Sequence, residues 1–208
     1  MTRRLGTALA LGPLLALAAP LRAQERAEVG VQAGIAQSRQ LWDAPYQTDR
    51  ISGLVMGAFA DVRLPAPSLS LLGGMALVRR GTEVWNAQTD PDRTGSGTLE
   101  VDYLSVSLHF KARVQVGPAS AFLLAGPTLE QFLRANRTAT LNTLLERETG
   151  TVLAATAGTG LAFEVGRSTR VGLEARVTEG LNSAFDGVAG SVTNRSWEVL
   201  LRVGRIVR

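Results

Sequence analysis

The stretch LEVDYLSVSLHFKARVQV, residues 99–116, decides how the rest of the chain is read. Tyr103, Ser105, Ser107, His109, Lys111 and Arg113 take the odd positions, and Leu104, Val106, Leu108, Phe110, Ala112, Val114 and Val116 the even ones. A period of two puts successive side chains on opposite faces of a strand, whereas a helix would mix the two sets. The stretch is also far longer than the ~5–6 residues usual for a strand of a soluble sheet. It predicts one long strand with an apolar and a polar face.

The same alternation recurs outward from there. In Thr169–Thr178, Val171, Leu173, Ala175 and Val177 oppose Arg170, Glu174 and Arg176. Comparable segments run over Ile51–Leu64, Thr151–Val165 and Arg195–Arg205, with weaker ones at Glu28–Ser38, Leu69–Val84 and Ser120–Leu133. Eight strands result. Short turns at Pro65-Ala66-Pro67, Gly117-Pro118-Ala119 and Gly166-Arg167-Ser168 alternate with long polar connections at Arg39–Arg50, Trp85–Thr98, Arg134–Gly150 and Leu181–Asn194. All long connections therefore fall at one end of an up-and-down meander, the asymmetry of a membrane barrel with short periplasmic turns and longer extracellular loops. The expected fold is all-β: an eight-stranded antiparallel up-and-down transmembrane β-barrel.

The first 23 residues read differently. Arg3-Arg4 precede an apolar run from Leu5 to Ala19, and Leu21-Arg22-Ala23 closes it before polar Gln24-Glu25. This is the layout of a cleaved secretory signal peptide, and the run is shorter than the ~20 residues a spanning helix needs. Residues 1–23 are thus read as an export signal and 24–208 as the barrel domain, destined for a bacterial outer membrane. Without the signal the formal charge of +4 falls to near neutrality, which removes the electrostatic case for a nucleic-acid partner. The chain has no Cys, excluding disulfides, Cys-ligated metals and Cys nucleophiles, and His109 is its single His. No cofactor or metal site is expected.

Which face meets lipid is the next question. The polar faces carry Asp61, Glu130, Glu164, Glu174 and Glu198 against Arg63, Lys111, Arg113, Arg170, Arg176 and Arg202. Such a balanced set suits mutual pairing in a closed interior, because buried charges need partners. With His109 these residues are read as a structural charge network inside the barrel. The alternative is a soluble periplasmic lipocalin-like barrel, with its apolar face inward around an apolar ligand.

Phe122-Leu123-Leu124-Ala125-Gly126-Pro127, then Ala157-Gly158-Thr159-Gly160-Leu161-Ala162-Phe163, then Leu173-Glu174-Ala175-Arg176, in that order and spacing, resemble the PorT-like family of bacterial outer-membrane β-barrels. Tyr103-Leu104 and a closing strand from near Arg195 fit the same pattern. The resemblance implies an eight-stranded outer-membrane barrel and little about activity. Departures are the eleven aromatics, thin for two interfacial girdles, a chain that closes without a terminal aromatic, and Pro127 inside a strand, which predicts a bulge.

Candidate chemistry is sparse. Ser107 and His109 share a face, and with Glu130 or Glu174 would make the Ser-His-acid set of a barrel-borne lipid hydrolase. A hydrogen-bonded interior His is the simpler reading. Gly126, Gly158, Gly160 and Gly172 lie in strands, match no phosphate loop, and are read as relieving crowding. Asp90, Asp92 and Asp102 lack the spacing of a calcium loop and are read as solvated loop residues. The expectation is a monomer without catalysis, contacting outer-membrane lipid and presenting its extracellular loops to a ligand or protein.

Overall fold

The computed structural model describes residues 27–41, 46–86, 92, 96–137, 147–148, 150–187 and 190–207. The expected signal peptide and Asp90 lie outside them. Eight long strands form the wall: β1 (Ala27–Leu41), β2 (Tyr46–Arg63), β3 (Leu69–Asn86), β4 (Gly97–Val116), β5 (Ala119–Arg137), β7 (Thr151–Val165), β8 (Thr169–Gly180) and β10 (Gly190–Val207). Two short strands, β6 (Arg147–Glu148) and β9 (Phe185–Gly187), belong to the long connections. Each wall strand pairs antiparallel with its neighbours, and β1 closes on β10 from Ala27↔Val207 to Leu41↔Thr193.

Closure carries a stagger. From Phe110 the register runs one way through Leu71, Val62 and Ala27 to Val207. The other way it runs through Ala125, Ala157 and Val177 to Trp197, ten positions away on the same strand. A stagger of this size tilts the strands by roughly 35–45° and leaves an interior that side chains can fill. At the short-turn end, Gly117 and Gly166 adopt φ of 60° and 68°, in the left-handed region that glycine tolerates. The opposite end, bearing the long connections, is called the outer end here.

The apolar face points outward. Leu108, Phe110 and Leu123 are 47%, 66% and 65% exposed, while His109, Glu130 and Glu174 are no more than 1% exposed. Water does not tolerate such a contiguous apolar wall on a monomer, and lipid does. The lipocalin-like alternative, with its apolar face inside, is therefore overturned.

Two expectations need correction. Strands run beyond the segments assigned from alternation: Arg39–Leu41 extend β1 and Tyr46–Arg50 belong to β2, although both fall in a stretch read as loop. The reason is an inversion of the pattern. On β4 the inward residues above Ser105 are Tyr103, Val101 and Leu99, all at most 1% exposed, and the outward ones are Asp102 and Glu100. With Val84, Val152, Ala184 and Val192 they form an apolar core at the outer end. Above Leu104 the barrel is thus built like a soluble one, apolar within and charged without, which places the membrane boundary at that level.

Pro127 makes no bulge. The β5–β7 register passes through Pro127↔Ala155 without a shift, and on the β4 side the pairs Ser107↔Thr128 and Phe110↔Ala125 keep one register across it. The missing donor falls in the gap between those pairs. Register shifts occur instead between Arg50 and Val55 and between Asp102 and Tyr103, both near the level where polarity inverts.

Candidate functional site

Inside the membrane-level barrel the charged residues gather in two groups. The upper one centres on Arg80 of β3, whose Nε donates to Glu130 Oε1 at 2.9 Å and whose Nη2 lies 2.9 Å from Glu198 Oε1. Ser196 accepts from the same guanidinium. Glu198 also receives Arg176 Nε at 2.6 Å, and Glu174 receives Arg202 Nη1 at 2.7 Å with Arg176 3.6 Å away. The register explains this assembly, since Glu198 faces Arg176 directly and Leu200 faces Glu174 across β8–β10.

The lower group lies toward the short turns. Asp61 accepts Lys111 Nζ at 2.8 Å and Arg113 Nη2 at 3.1 Å, Arg170 donates to Glu28 at 3.0 Å, and Glu164 pairs with Arg170. Arg63 lines the same space, whose cavity of about 10 Å³ holds at most a single water. The two groups meet at Phe59, Leu72, Phe122, Leu124 and Ala162, where Arg202 stacks over Phe59 at 3.8 Å and Lys111 over Phe122 at 4.0 Å. Gly160 clears room for the Phe122 ring, since a Cβ there would run into it.

His109 sits on a chain of hydroxyls. Its Nε2 is 3.3 Å from Thr128 Oγ1, which is 2.8 Å from Thr156 Oγ1, itself 3.0 Å from Thr178 Oγ1. The ring's Nδ1 has no hydrogen-bond partner among the described residues. Glu130 and Glu174, the two acids proposed to complete a Ser-His-acid set, are held by Arg80 and Arg202 instead. Ser107 and His109 share a strand face, yet no hydrogen bond joins them among the described residues. The geometry that nucleophilic catalysis requires is not assembled. Nor does any group of three His, Asp or Glu among the described residues lie close enough to hold a metal ion.

The outward face above Leu104 carries charges of its own. Across β3, β4 and β5 the residues Arg79, Asp102 and Arg134 are register neighbours. Arg79 Nε and Arg134 Nη2 both donate to the Asp102 carboxylate at 2.8 Å. Those hydrogen bonds, Arg79's foremost, hold the Asp102 carboxyl below its ordinary 3.8. Asp102 is therefore a strand residue clamping two guanidiniums, not a solvated loop residue. Sequence reasoning also missed Arg80 and Glu28. The doublet Arg79-Arg80 was the available signal, because neighbours on a strand must send one charge to each face.

Comparison with known proteins agrees with this architecture. OprG, an outer-membrane protein of Pseudomonas aeruginosa, superposes with a TM-score of 0.59 at 9% identity, covering 88% of this chain and 97% of its own. Neisserial surface protein A superposes at 0.49 and 13% identity, covering 84% and 96%. Ail, the attachment invasion locus protein of Yersinia pestis, does so at 0.47 and 17%, covering 87% and 99%. Among curated proteins none matches the chain significantly. Residues 22–186 match the model of the outer membrane protein beta-barrel domain. With the closed eight-stranded wall and its outward apolar belt, that match makes the chain a member of the outer-membrane β-barrel domain family.

Proposed function

We propose that this is a closed, non-catalytic outer-membrane barrel, exported through a signal peptide cleaved near residue 23, whose outer end carries recognition while its interior serves only stability. Within its family we assign it to the PorT-like branch, on the motifs around Phe122–Pro127, Ala157–Phe163 and Leu173–Arg176. The observation that carries this reading is the filled interior: two paired charge networks separated by aromatic rings, with the apolar core of Leu99, Val101, Tyr103 and Val192 above them. A lumen so occupied offers no water path, and His109, sealed among hydroxyls, offers no substrate path. The long connections are oriented to the cell exterior and the short turns to the periplasm.

Planar-bilayer recording tests this. Purified protein is expected to give no large steady conductance, and a stable open channel would overturn the closed-barrel reading. Export and placement are tested by fractionation and by gel mobility of unheated protein, which should recover a heat-modifiable species with the outer membrane.

A further inference from the structure

On the side of the barrel opposite Asp102, the outward face just above the apolar belt is arranged in the contrary sense. Arg39 of β1 stands directly opposite Arg195 of β10 in the register, and Arg195 stands opposite Glu179 of β8. Arg50, one residue past the last β1–β2 pair Ser38↔Ile51, lines the same groove. Three guanidiniums thus line the groove with one carboxylate among its described lining residues, and that one, Glu179, is already taken by Arg195, which donates from Nε at 2.9 Å. Like charges directly opposite on neighbouring strands are destabilising. The Arg79–Asp102–Arg134 row, which alternates in sign, shows that this fold can avoid the repulsion at the same depth.

One step toward the belt lies the row Gln37, Trp197 and Val177, and the next is Ile35, Val199 and Ala175. Trp197, Ile35 and Val199 are all outward and about half exposed. The groove, about 420 Å³, therefore has a cationic roof, a tryptophan wall and an apolar floor continuous with the lipid-facing surface. Tryptophan belongs at headgroup depth, and guanidinium is the side chain suited to bidentate capture of phosphate.

We infer that the Arg39–Arg50–Arg195 groove binds the phosphate of an outer-leaflet lipid, with the lipid's acyl chains lying along Trp197, Ile35 and Val199. The bound phosphate removes the Arg39–Arg195 repulsion, so the lipid stabilises the barrel as well as decorating it. This inference rests on the orientation proposed above.

The test uses the purified full barrel in phosphatidylcholine vesicles, with and without bisphosphorylated lipid A. Retained lipid is read by native mass spectrometry, and unfolding by the temperature at which the fast-migrating gel species is lost. The wild type should retain lipid A and unfold at higher temperature in its presence. Arg39→Gln/Arg50→Gln should bind about ten-fold more weakly and lose the lipid-dependent shift, yet unfold no earlier than wild type in phosphatidylcholine alone. Arg134→Gln, in the sign-alternating row, should bind as wild type does. Should the double variant not fold, Arg50→Gln alone carries the comparison, its exposed side chain being dispensable to the wall. Equal retention of dephosphorylated lipid A, unchanged binding by the Arg variants, or the same stabilisation by inorganic phosphate would each overturn the assignment. Failure of wild-type protein to enter vesicles would instead defeat the membrane orientation on which it rests.

Discussion

Strand β4 crosses two solvents, and its two parts are built in opposite senses. From Leu104 to Val116 the apolar side chains face out and Ser105, His109, Lys111 and Arg113 face in. From Gly97 to Tyr103 the order reverses, with Leu99 and Val101 within and Glu100 and Asp102 without. The β3–β4 register runs unbroken from Leu69↔Ala112 to Val84↔Gly97, while on the other side of the strand the β4–β5 register shifts between Asp102 and Tyr103, where the change falls. What differs is the medium on the far side of the wall. A strand face becomes apolar where hydrocarbon or a dry core meets it, and charged where water does.

The largest test of that contrast lies among the inward charges. Arg80→Gln strips the shared partner from Glu130 and Glu198, and the cost of leaving buried charges unpaired is about 3–5 kcal/mol. Glu174→Gln, which frees Arg202, should cost a few kcal/mol by the same logic. Asp92→Asn, at an exposed position, should stay within about 0.5 kcal/mol. Urea unfolding in vesicles compares the three. Equal midpoints for Glu174→Gln and Asp92→Asn would mean that the inward face is solvated.

Next in size is the position of the boundary itself. Leu108→Arg sets a charge against hydrocarbon and should cost about 2–4 kcal/mol, while Leu104→Arg, at the proposed water plane, should cost about 0–1 kcal/mol. Equal penalties at the two sites would move the plane outward past Leu104. Spin labels sharpen the same point: position 108 should be quenched by probes dissolved in the acyl chains and position 109 should not. Quenching at 109 would invert the wall.

The smallest effect is expected at Asp102. Its carboxyl titrates below the ordinary 3.8, so the folded state favours the anion. The stability it contributes is present above that ordinary value and is lost as pH falls through the lowered one. Asp102→Asn should therefore cost under about 1 kcal/mol near neutral pH, as for exposed pairs, with the gap to wild type closing in acid. A difference that persists unchanged at low pH would assign the effect to packing.

Much of this was legible in the sequence because one rule governs it. Period-two alternation located all eight wall strands, and the balance of acids and bases on their polar faces pointed to a paired interior. The same rule failed above Leu104. There outward Arg39 and Arg50 stand beside inward Ser38 and Gln40, so polar residues occur on both faces and the ends of β1 and β2 read as loop. Arg80 was hidden because the inward face of β3 also carries Leu72, Ala76, Val78 and Val84, so both faces of that strand are largely apolar and the alternation around it is blurred. Pro127 misled for a different cause. Here the β4–β5 pairing lapses beside Pro127, between Ser107↔Thr128 and Phe110↔Ala125, and resumes in the same register, so the lost donor interrupts the ladder without adding a residue to it.

The reversal at Leu104 also gives assembly a direction. A wall carrying only apolar residues outward could slide through the bilayer either way. This one carries Arg39, Arg79, Asp102, Arg134, Glu179 and Arg195 on its outer collar, and to withdraw they would have to cross hydrocarbon. In the orientation proposed above, the collar passes the membrane once, during insertion. After closure of β1 on β10 the same charges act as a doorstop, and the barrel stays where it was delivered.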